Sequence, residues 1–443
     1  MKFVKLSLCI GLFIVGYHSM EAEAQKKWTL EECINYALEN NINIKRQKIS
    51  ADQARNDRRQ SKWEMAPSIS VNGAHSFNFG KTINPDNYEY VNQQFQSQNM
   101  QANANLNLFS GLETQNTQQM RHYDLMAQLE NIETARYNVT LNIVTYYLNV
   151  LAQAEQKKIK QEQLDVTTDQ ITKTREQVKV GNKAKGELLE IKAQAARERV
   201  ELTRAQNALR MGYVDLAQLM NLDSIKNFSV VIPEDPVLQA GKLIQPADTI
   251  YDKSVQNFPT IQSAQYQLKS SQKYFDIMKG RLMPTLSFRT SYYTYYNELS
   301  QPSYTDQIKA INPNLNLQMV LSIPIFDKMR KHNQISNAKL LVKDTEYFVK
   351  EQKLELFKTI QKAVNEAEAA YKDYESSLES VESNQEAFKY TQEKYDVGLI
   401  DAIEYKIVKN ELSRARSNAA NAKYNYVFRL KILEFYRGQE MKL

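Results

Sequence analysis

The sequence predicts a mixed α and β fold in which one unit of long helices and amphipathic strands occurs twice. Three observations lead to this prediction: few turn residues, a repeat at constant spacing, and four stretches of alternating polarity. Of 443 residues, 12 are glycine and 10 are proline, less than half of the usual ~12% share. Such a chain must run in long, uninterrupted elements, which excludes a β-sandwich, a propeller and a loop-rich α/β enzyme.

Charge and hydropathy exclude two further classes of protein. Charged residues make up 24% of the chain and the mean hydropathy is -0.58, which excludes a polytopic helical membrane protein. The net charge is +6, but charges of both signs are interspersed and form no dense Lys/Arg patch. We therefore expect no nucleic-acid partner.

The N-terminus predicts export from the cytoplasm. Two lysines precede an apolar run over residues 6–15, and an A-x-A cleavage pattern follows at residues 22–24. This order is typical of a secretory signal peptide, here residues 1–24; an N-terminal membrane anchor is the alternative. Cys33 is then the single cysteine of the exported chain, so we expect no internal disulfide and interpret Cys33 as a small buried hydrophobe.

The chain repeats itself at a constant offset of 217 residues. The matching pairs are Asn40 and Asn257, Pro67 and Pro284, Phe109 and Phe326, and Val180-Gly181 and Val397-Gly398. In each copy, the sequence pattern predicts a helix, a strand, a loop, a strand, a long helix, a glycine turn and a final helix, in that order. We assign residues 25–222 to the first repeat, 223–247 to a proline-containing linker and 248–443 to the second repeat.

The first repeat is predicted to open with one helix, residues 30–64. The helix is expected to end there because Pro67 disfavours helical backbone at the residue before it. Its strands are placed at about 68–79 and 99–109, and its helices at 112–180 and 184–222. In the second repeat the strands are placed at about 285–296 and 314–324, and the helices at 328–397 and 401–437. The long helices span about 100 Å, and their apolar residues recur at coiled-coil spacing, with Val408, Leu412 and Ala415 on the last helix.

Each predicted strand has one apolar face and one face rich in Asn, Gln and Ser. Residues expected to face lipid are Leu106, Leu108, Leu315, Leu317 and Met319. A half-buried soluble sheet is one interpretation; a transmembrane β-barrel, whose strands alternate over ~9–11 residues, is the favoured one. The tyrosines at 292, 293, 295 and 296 suit an aromatic girdle. Four strands cannot close a barrel, so two chains would supply 8 strands and three would supply 12, and a water-filled lumen favours the trimer.

Because these helices, strands and Val-Gly turns occur twice in the same order, the sequence resembles the TolC family of outer membrane efflux channels over essentially the whole mature chain. The resemblance implies a homotrimer with a 12-stranded β-barrel in outer membrane lipid and a periplasmic α-barrel of coiled-coil helices. It also implies export of solutes without chemistry, together with a periplasmic adaptor protein and an inner-membrane transporter of the RND or ABC type. Many relatives carry a lipidated cysteine at the mature N-terminus, whereas this chain has Gln25 there.

The same resemblance assigns candidate sites at the two Val-Gly turns. The adaptor is expected to contact the helix tips, at Val180, Gly181, Val397 and Gly398. The periplasmic entrance of the family is narrowed by acidic residues six and nine positions past the second glycine, where this chain has Glu404 and Ile407. Glu187 and Glu190 stand at the corresponding positions of the first copy, so one acidic ring is expected and a second is in doubt.

No catalytic motif, cofactor motif or metal-ligand spacing occurs in the sequence, so we expect no enzyme activity, no cofactor and no metal site. A periplasmic coiled-coil structural or adaptor protein without a membrane barrel is the alternative function. It needs no amphipathic strands, which is why the strands discriminate between the two hypotheses. The transported cargo is not apparent from the sequence.

Overall fold

The structure is a computed structural model that describes residues 27–226, 228–233 and 245–438. The predicted signal peptide and part of the predicted linker lie outside the described residues. The first half of the chain contains β1 (Lys27–Trp28), α1 (Leu30–Asn40), α2 (Ile42–Trp63), β2 (Ser68–Asn78), β3 (Lys81–Ile83), β4 (Tyr90–Asn92), β5 (Phe95–Ser110), α3 (Glu113–Lys179) and α4 (Lys185–Met220). The second half contains β6 (Ser229–Val230), α5 (Ala247–Ser254), α6 (Pro259–Gly280), β7 (Thr285–Asn297), α7 (Tyr304–Asp306), a π-helical turn (Gln307–Ile311), β8 (Asn314–Ser322), α8 (Arg330–Asp396) and α9 (Ala402–Tyr436).

The repeat at an offset of 217 residues is visible in the backbone. Helices α3 and α8 each have 67 residues and begin and end at equivalent positions. The residues that precede them, Leu112 and Met329, are both left-handed with φ 63°, and the glycines that follow, Gly181 and Gly398, have φ 80° and 81°. The internally duplicated mixed fold that the sequence predicts is therefore confirmed.

The opening helix differs from the prediction because Asn41 divides it into α1 and α2. The backbone of Asn41 is extended, with φ -60° and ψ 126°. Its side-chain oxygen accepts hydrogen bonds from the N–H groups of Asn43, at 2.9 Å, and Ile44, at 3.4 Å. Asparagine is a strong N-cap residue, so it starts a new helix instead of continuing the old one.

The four long strands form one antiparallel sheet in the order β2-β5-β7-β8. Each of these strands adjoins a helix at the same end of the molecule: α2 leads into β2, β5 leads into α3, α6 leads into β7 and β8 leads into α8. The sheet therefore caps one end of the helices. Its outer strands, β2 and β8, each pair with one neighbour only, which leaves two open edges among the described residues.

Close backbone contact fixes the junction between the sheet and the helices. Gly111, with φ 62°, lies against Gly280, and a Cβ atom on either glycine would collide with the carbonyl oxygen of the other. Next to the contact between these two glycines, the Arg281 guanidinium donates two hydrogen bonds to Glu113 Oε1, at 2.9 and 3.1 Å. The end of α6 and the start of α3 are thereby held together where β5 ends and β7 begins.

The main core lies where α1, α3, α4 and α9 pack together. Ile143, Tyr147, Leu216 and Met220 are almost completely buried there, together with Cys33. Burial raises the pKa of the Cys33 thiol to about 12, so it acts as the small buried hydrophobe that the sequence predicts. Among the described residues, no helix has the hydropathy of a membrane span over 18 consecutive residues.

Candidate functional site at the helix tips and the strand sheet

The two helix tips are built from the same turn. At the first, Gly181 N–H donates to Val178 O and Asn182 N–H to Gln177 O, at 3.1 and 2.9 Å. At the second, the N–H groups of Gly398 and Leu399 make the equivalent bonds, also at 3.1 and 2.9 Å. This paired pattern is the Schellman motif, and it needs the left-handed backbone that glycine adopts without strain.

The tips carry exposed apolar side chains. Val180, Val397 and Leu399 have relative exposures of 70%, 72% and 75%, and there is open space around both tip glycines. The hypothesis that Val180, Gly181, Val397 and Gly398 contact an adaptor therefore concerns a surface that is free in the protomer.

The three candidate acids have different surroundings. Glu404 lies in the first turn of α9, where its N–H is capped by Asp401 Oδ1 at 2.9 Å and its side chain is exposed. Glu187 forms an ion pair with Lys183 at 3.5 Å, whereas Glu190 is exposed and borders a cavity between the hairpins. The acidic ring at Glu404 stays a prediction. The negative charge of Glu187 is partly compensated by Lys183, unlike that of Glu190.

A cation–π contact that the sequence pattern did not predict joins the two tips. The Lys183 ammonium, from the turn before α4, lies 3.7 Å from the centre of the Tyr395 ring at the end of α8. Tyr395 in turn stacks on Tyr405 of α9, with ring centres 4.7 Å apart. Burial and the neighbouring Asp396 carboxylate raise the pKa of Tyr405 to about 12, so this phenol stays neutral.

Between the two hairpins lies a cavity of about 350 Å³. Its lining combines aromatic and aliphatic side chains with polar ones: Thr167, Gln170, Glu190, Ile191, Ala193, Gln194, Arg197, Tyr395, Ala402, Ile403, Tyr405, Lys406 and Lys409. All four helices α3, α4, α8 and α9 contribute, but Glu404 does not. Glu190 therefore borders the cavity, whereas Glu404 lies outside its lining.

Next to the cavity, a buried ion pair that includes the lining residue Lys409 connects α4 with α9. Lys409 Nζ donates to Glu198 Oε1 at 3.1 Å, and the two side chains are 8% and 4% exposed. Lys409 also donates to the carbonyl oxygen of Gln163 on α3 at 2.8 Å. Glu198 accepts further hydrogen bonds from Gln194 Nε2, at 2.8 Å, and from the hydroxyl of Thr167. Three helices from both repeats therefore share one polar cluster.

The buried residue at this point of α9 is not the one that periodicity predicts. The predicted seam contains Val408, but Val408 is only half-buried, and Lys409 is buried beside Leu412 and Ala415. The seam shifts because Glu198 and Gln163 offer polar partners to Lys409. Burial lowers the pKa of the Lys409 ammonium, and the Glu198 carboxylate opposes this effect.

Strand pairing defines two faces of the sheet, since directly paired residues point the same way. The polar face includes Ser68, Ser70, Gln101, Asn103, Asn105, Arg289, Ser291, Asn316 and Gln318. The apolar face includes Ile69, Val71, Ala102, Ala104, Leu106, Phe288, Tyr292, Leu315, Leu317 and Met319. Four of the five residues expected to face lipid thus share one face.

Two details depart from simple alternation. The register of β5 and β7 shifts between Asn107 and Phe109, so Leu108 is the unpaired residue of a bulge. Tyr293 pairs with Gln101 and Asn314 on the polar face, and Tyr295 points the same way. The tyrosine cluster therefore divides between the two faces, and the interpretation of all four tyrosines as one girdle was wrong.

Solved structures with a similar architecture include proteins of bacterial outer membranes. The CmeC outer membrane channel of Campylobacter jejuni superposes with a TM-score of 0.78 at 17% identity, over 98% of this chain and 94% of that one. The outer membrane protein VceC of Vibrio cholerae gives 0.75 at 13% identity, over 93% and 96%. At these identities the likeness concerns the fold, and it defines a TolC-like fold.

The sequence gives the family directly. Residues 33–222 and 250–439 match the model of the outer membrane efflux protein family, so the chain belongs to that family. Among curated proteins, "Protein CyaE" of Bordetella pertussis is 24% identical over 245 residues, which are 53% of this chain and 47% of that protein. The match thus spans about half the length of this curated relative.

Proposed function

We propose that three copies of this chain form an outer membrane duct that exports solutes from the periplasm as part of a tripartite efflux system. Its partners are a periplasmic adaptor and an inner-membrane transporter of the RND or ABC type. The observation that carries the proposal is the four-stranded sheet with one apolar face and two open edges. In lipid an open edge is not tolerated, so neighbouring copies must pair with β2 and β8.

The number of copies follows from the proposed lumen. Two chains would give 8 strands, whose interior is filled by side chains, whereas three give 12 and leave room for water and solutes. An exposed stripe on α8 supports contact between copies. Leu340, Tyr347 and Leu354 recur every seven residues and are 61%, 60% and 60% exposed, as expected of a coiled-coil seam that a neighbouring helix covers.

In this proposal each surface has a separate role. The apolar face contacts lipid and the polar face lines the lumen. The tips at Val180-Gly181 and Val397-Gly398 receive the adaptor, and Glu404 narrows and charges the periplasmic entrance. The alternative of an adaptor without a barrel leaves the apolar face of the sheet without a partner.

Crosslinking between strand edges tests both the barrel and its stoichiometry. Ser70→Cys on β2 and Asn316→Cys on β8 lie on the two outer strands of one sheet, three strand spacings or about 14 Å apart within a protomer. A short bismaleimide added to outer membranes should join β8 of one copy to β2 of the next. Cys33 is buried, so it should not react.

The expected result is a gel ladder that reaches three chains and no more, with no ladder in either single-cysteine variant. A ladder that stops at two chains would overturn the trimer, and no crosslinking at all would overturn the barrel.

A further inference from the structure

One basic residue interrupts the uncharged surface of the sheet. Strands β2, β5, β7 and β8 contain no Asp, Glu or Lys, and Arg289 is their only arginine. The side chain is exposed, and no residue in the described ranges forms a hydrogen bond or ion pair with its guanidinium. Its charge is therefore not neutralised within the protomer.

Strand register fixes the face on which Arg289 lies. Arg289 pairs with Asn105 of β5 and with Gln318 of β8, and Asn105 pairs with Ser68 of β2. These four residues form one row across the polar face. The next row consists of Ser70, Asn103, Ser291 and Asn316, so amides and hydroxyls surround the guanidinium.

Neither this row nor the next contains a carboxylate side chain that could compensate the charge. The Arg289 guanidinium is a permanently charged donor that has no acceptor among the described residues. A solute with oxyanion groups can supply that acceptor, because a guanidinium binds carboxylate or phosphate oxygens in a bidentate manner.

We propose that Arg289 is a specificity-determining residue that makes the strand end of the duct a binding belt for anionic solutes. This inference rests on the proposed trimer, in which three guanidiniums lie at one level of the lumen. Low-dielectric walls focus their field and concentrate anions, and rings of basic side chains select anions in other pores. Lipid phosphate has the same chemistry, but it lies on the opposite, apolar side of the sheet.

The belt lies near the helical end of the sheet. Arg289 is the fifth residue of β7, about 14 Å along the strand from its start, and its row contains Ser68, the first residue of β2. A solute arriving through the helical part would meet Arg289 before it reached most of the strand surface. The belt therefore acts after the periplasmic entrance and independently of Glu404.

Planar bilayer recordings on the purified full-length protein test the belt, with inorganic triphosphate as the blocking anion. Arg289→Gln should retain the pore and its conductance but lower the apparent affinity for triphosphate about tenfold or more, as expected for loss of a charge-assisted hydrogen bond. The reversal potential in a salt gradient should shift toward cation preference. Arg289→Lys should keep the ion preference and lose part of the triphosphate block.

Lys253→Gln is the charge-matched control. Lys253 lies on α5, which packs in the same cluster as Ile360 of α8, about 45 Å along that helix from the sheet. In this control, block by triphosphate and the reversal potential should stay as in the wild type.

Unchanged block and reversal potential in Arg289→Gln would overturn the belt and leave the duct intact. A change in trimer heat stability in anionic lipid, without a change in ion preference, would assign Arg289 to lipid phosphate and also overturn it. Absence of pores in the wild type would overturn the proposed function itself.

Discussion

Lys409→Met should loosen the helical hairpins, because it leaves the Glu198 carboxylate buried without its cation. The pair is 3.1 Å apart and both side chains are less than a tenth exposed. Removing one partner of a buried pair costs about 3–5 kcal/mol. Methionine has nearly the length of lysine, so packing is kept and the change is mainly electrostatic.

The surroundings of Glu198 place the expected cost at the lower end of that range. After the substitution the carboxylate still accepts hydrogen bonds from Gln194, at 2.8 Å, from Gln163, at 3.3 Å, and from Thr167. A cost of about 3 kcal/mol corresponds to about a hundredfold change in a local opening equilibrium. The double variant Glu198→Gln with Lys409→Met removes both charges and should recover more than half of the loss.

Hydrogen exchange of the assembled protein measures this local equilibrium without global unfolding. Amides of α3, α4 and α9 around Gln163, Glu198 and Lys409 should exchange about a hundredfold faster in Lys409→Met. Arg414→Met is the matched control on the same helix, since its pair with Glu411 is 3.5 Å long and mostly exposed and is worth well under 1 kcal/mol. Equal exchange in these two single variants, or a double variant no better protected than Lys409→Met, would refute the reasoning.

Three other substitutions test the proposed surfaces. Gly398→Val forces a β-branched residue into a left-handed turn, at about 1–2 kcal/mol, and should weaken crosslinking to the adaptor while trimer levels stay constant; unchanged crosslinking and export would exclude the tip. Glu404→Gln should reduce cation selectivity and relieve block by multivalent cations, most clearly at low salt, whereas Glu379→Gln, about three quarters of the way along α8, should change neither; similar recordings for both would remove Glu404 from the entrance. Leu317→Arg on the apolar face should cost about 2–4 kcal/mol if the side chain meets lipid, whereas Asn316→Arg on the polar face should assemble; equal yields of heat-resistant trimer would contradict the assignment of the faces.

Much of the fold could be predicted because its signals are local in the sequence. Alternation with period 2, the long stretches without proline or glycine, and the Val-Gly turns each act over a few residues. The first helix shows the limit of this approach. Apolar spacing runs through Asn41, but the side chain of Asn41 caps the next helix; two adjacent asparagines at positions 40 and 41 were the available signal.

Strand alternation predicted the faces only as far as the strands stay regular. The bulge at Leu108 inserts one residue into β5, so Phe109 pairs with Leu286 and the later residues change phase. A bulge depends on how two strands fit each other, and neither strand alone shows it. The same register also shows which residues form a row with Arg289 across the sheet, which alternation within β7 alone does not show.

The polar cluster at Lys409 shows why the site was harder to predict than the fold. A coiled-coil seam is expected to contain apolar residues, so the periodicity of α9 predicted that Val408, and not Lys409, would be buried against the neighbouring helices. The partner that makes burial of Lys409 tolerable, Glu198, is 211 residues away in the sequence, and the third helix of the cluster contributes Gln163 and Thr167. A charge can be buried only where its partners already lie, so its position is decided by the packing of both repeats and not by its own helix. Substituting Lys409 therefore tests contact between the two halves of the chain, which no periodicity within one half could have predicted.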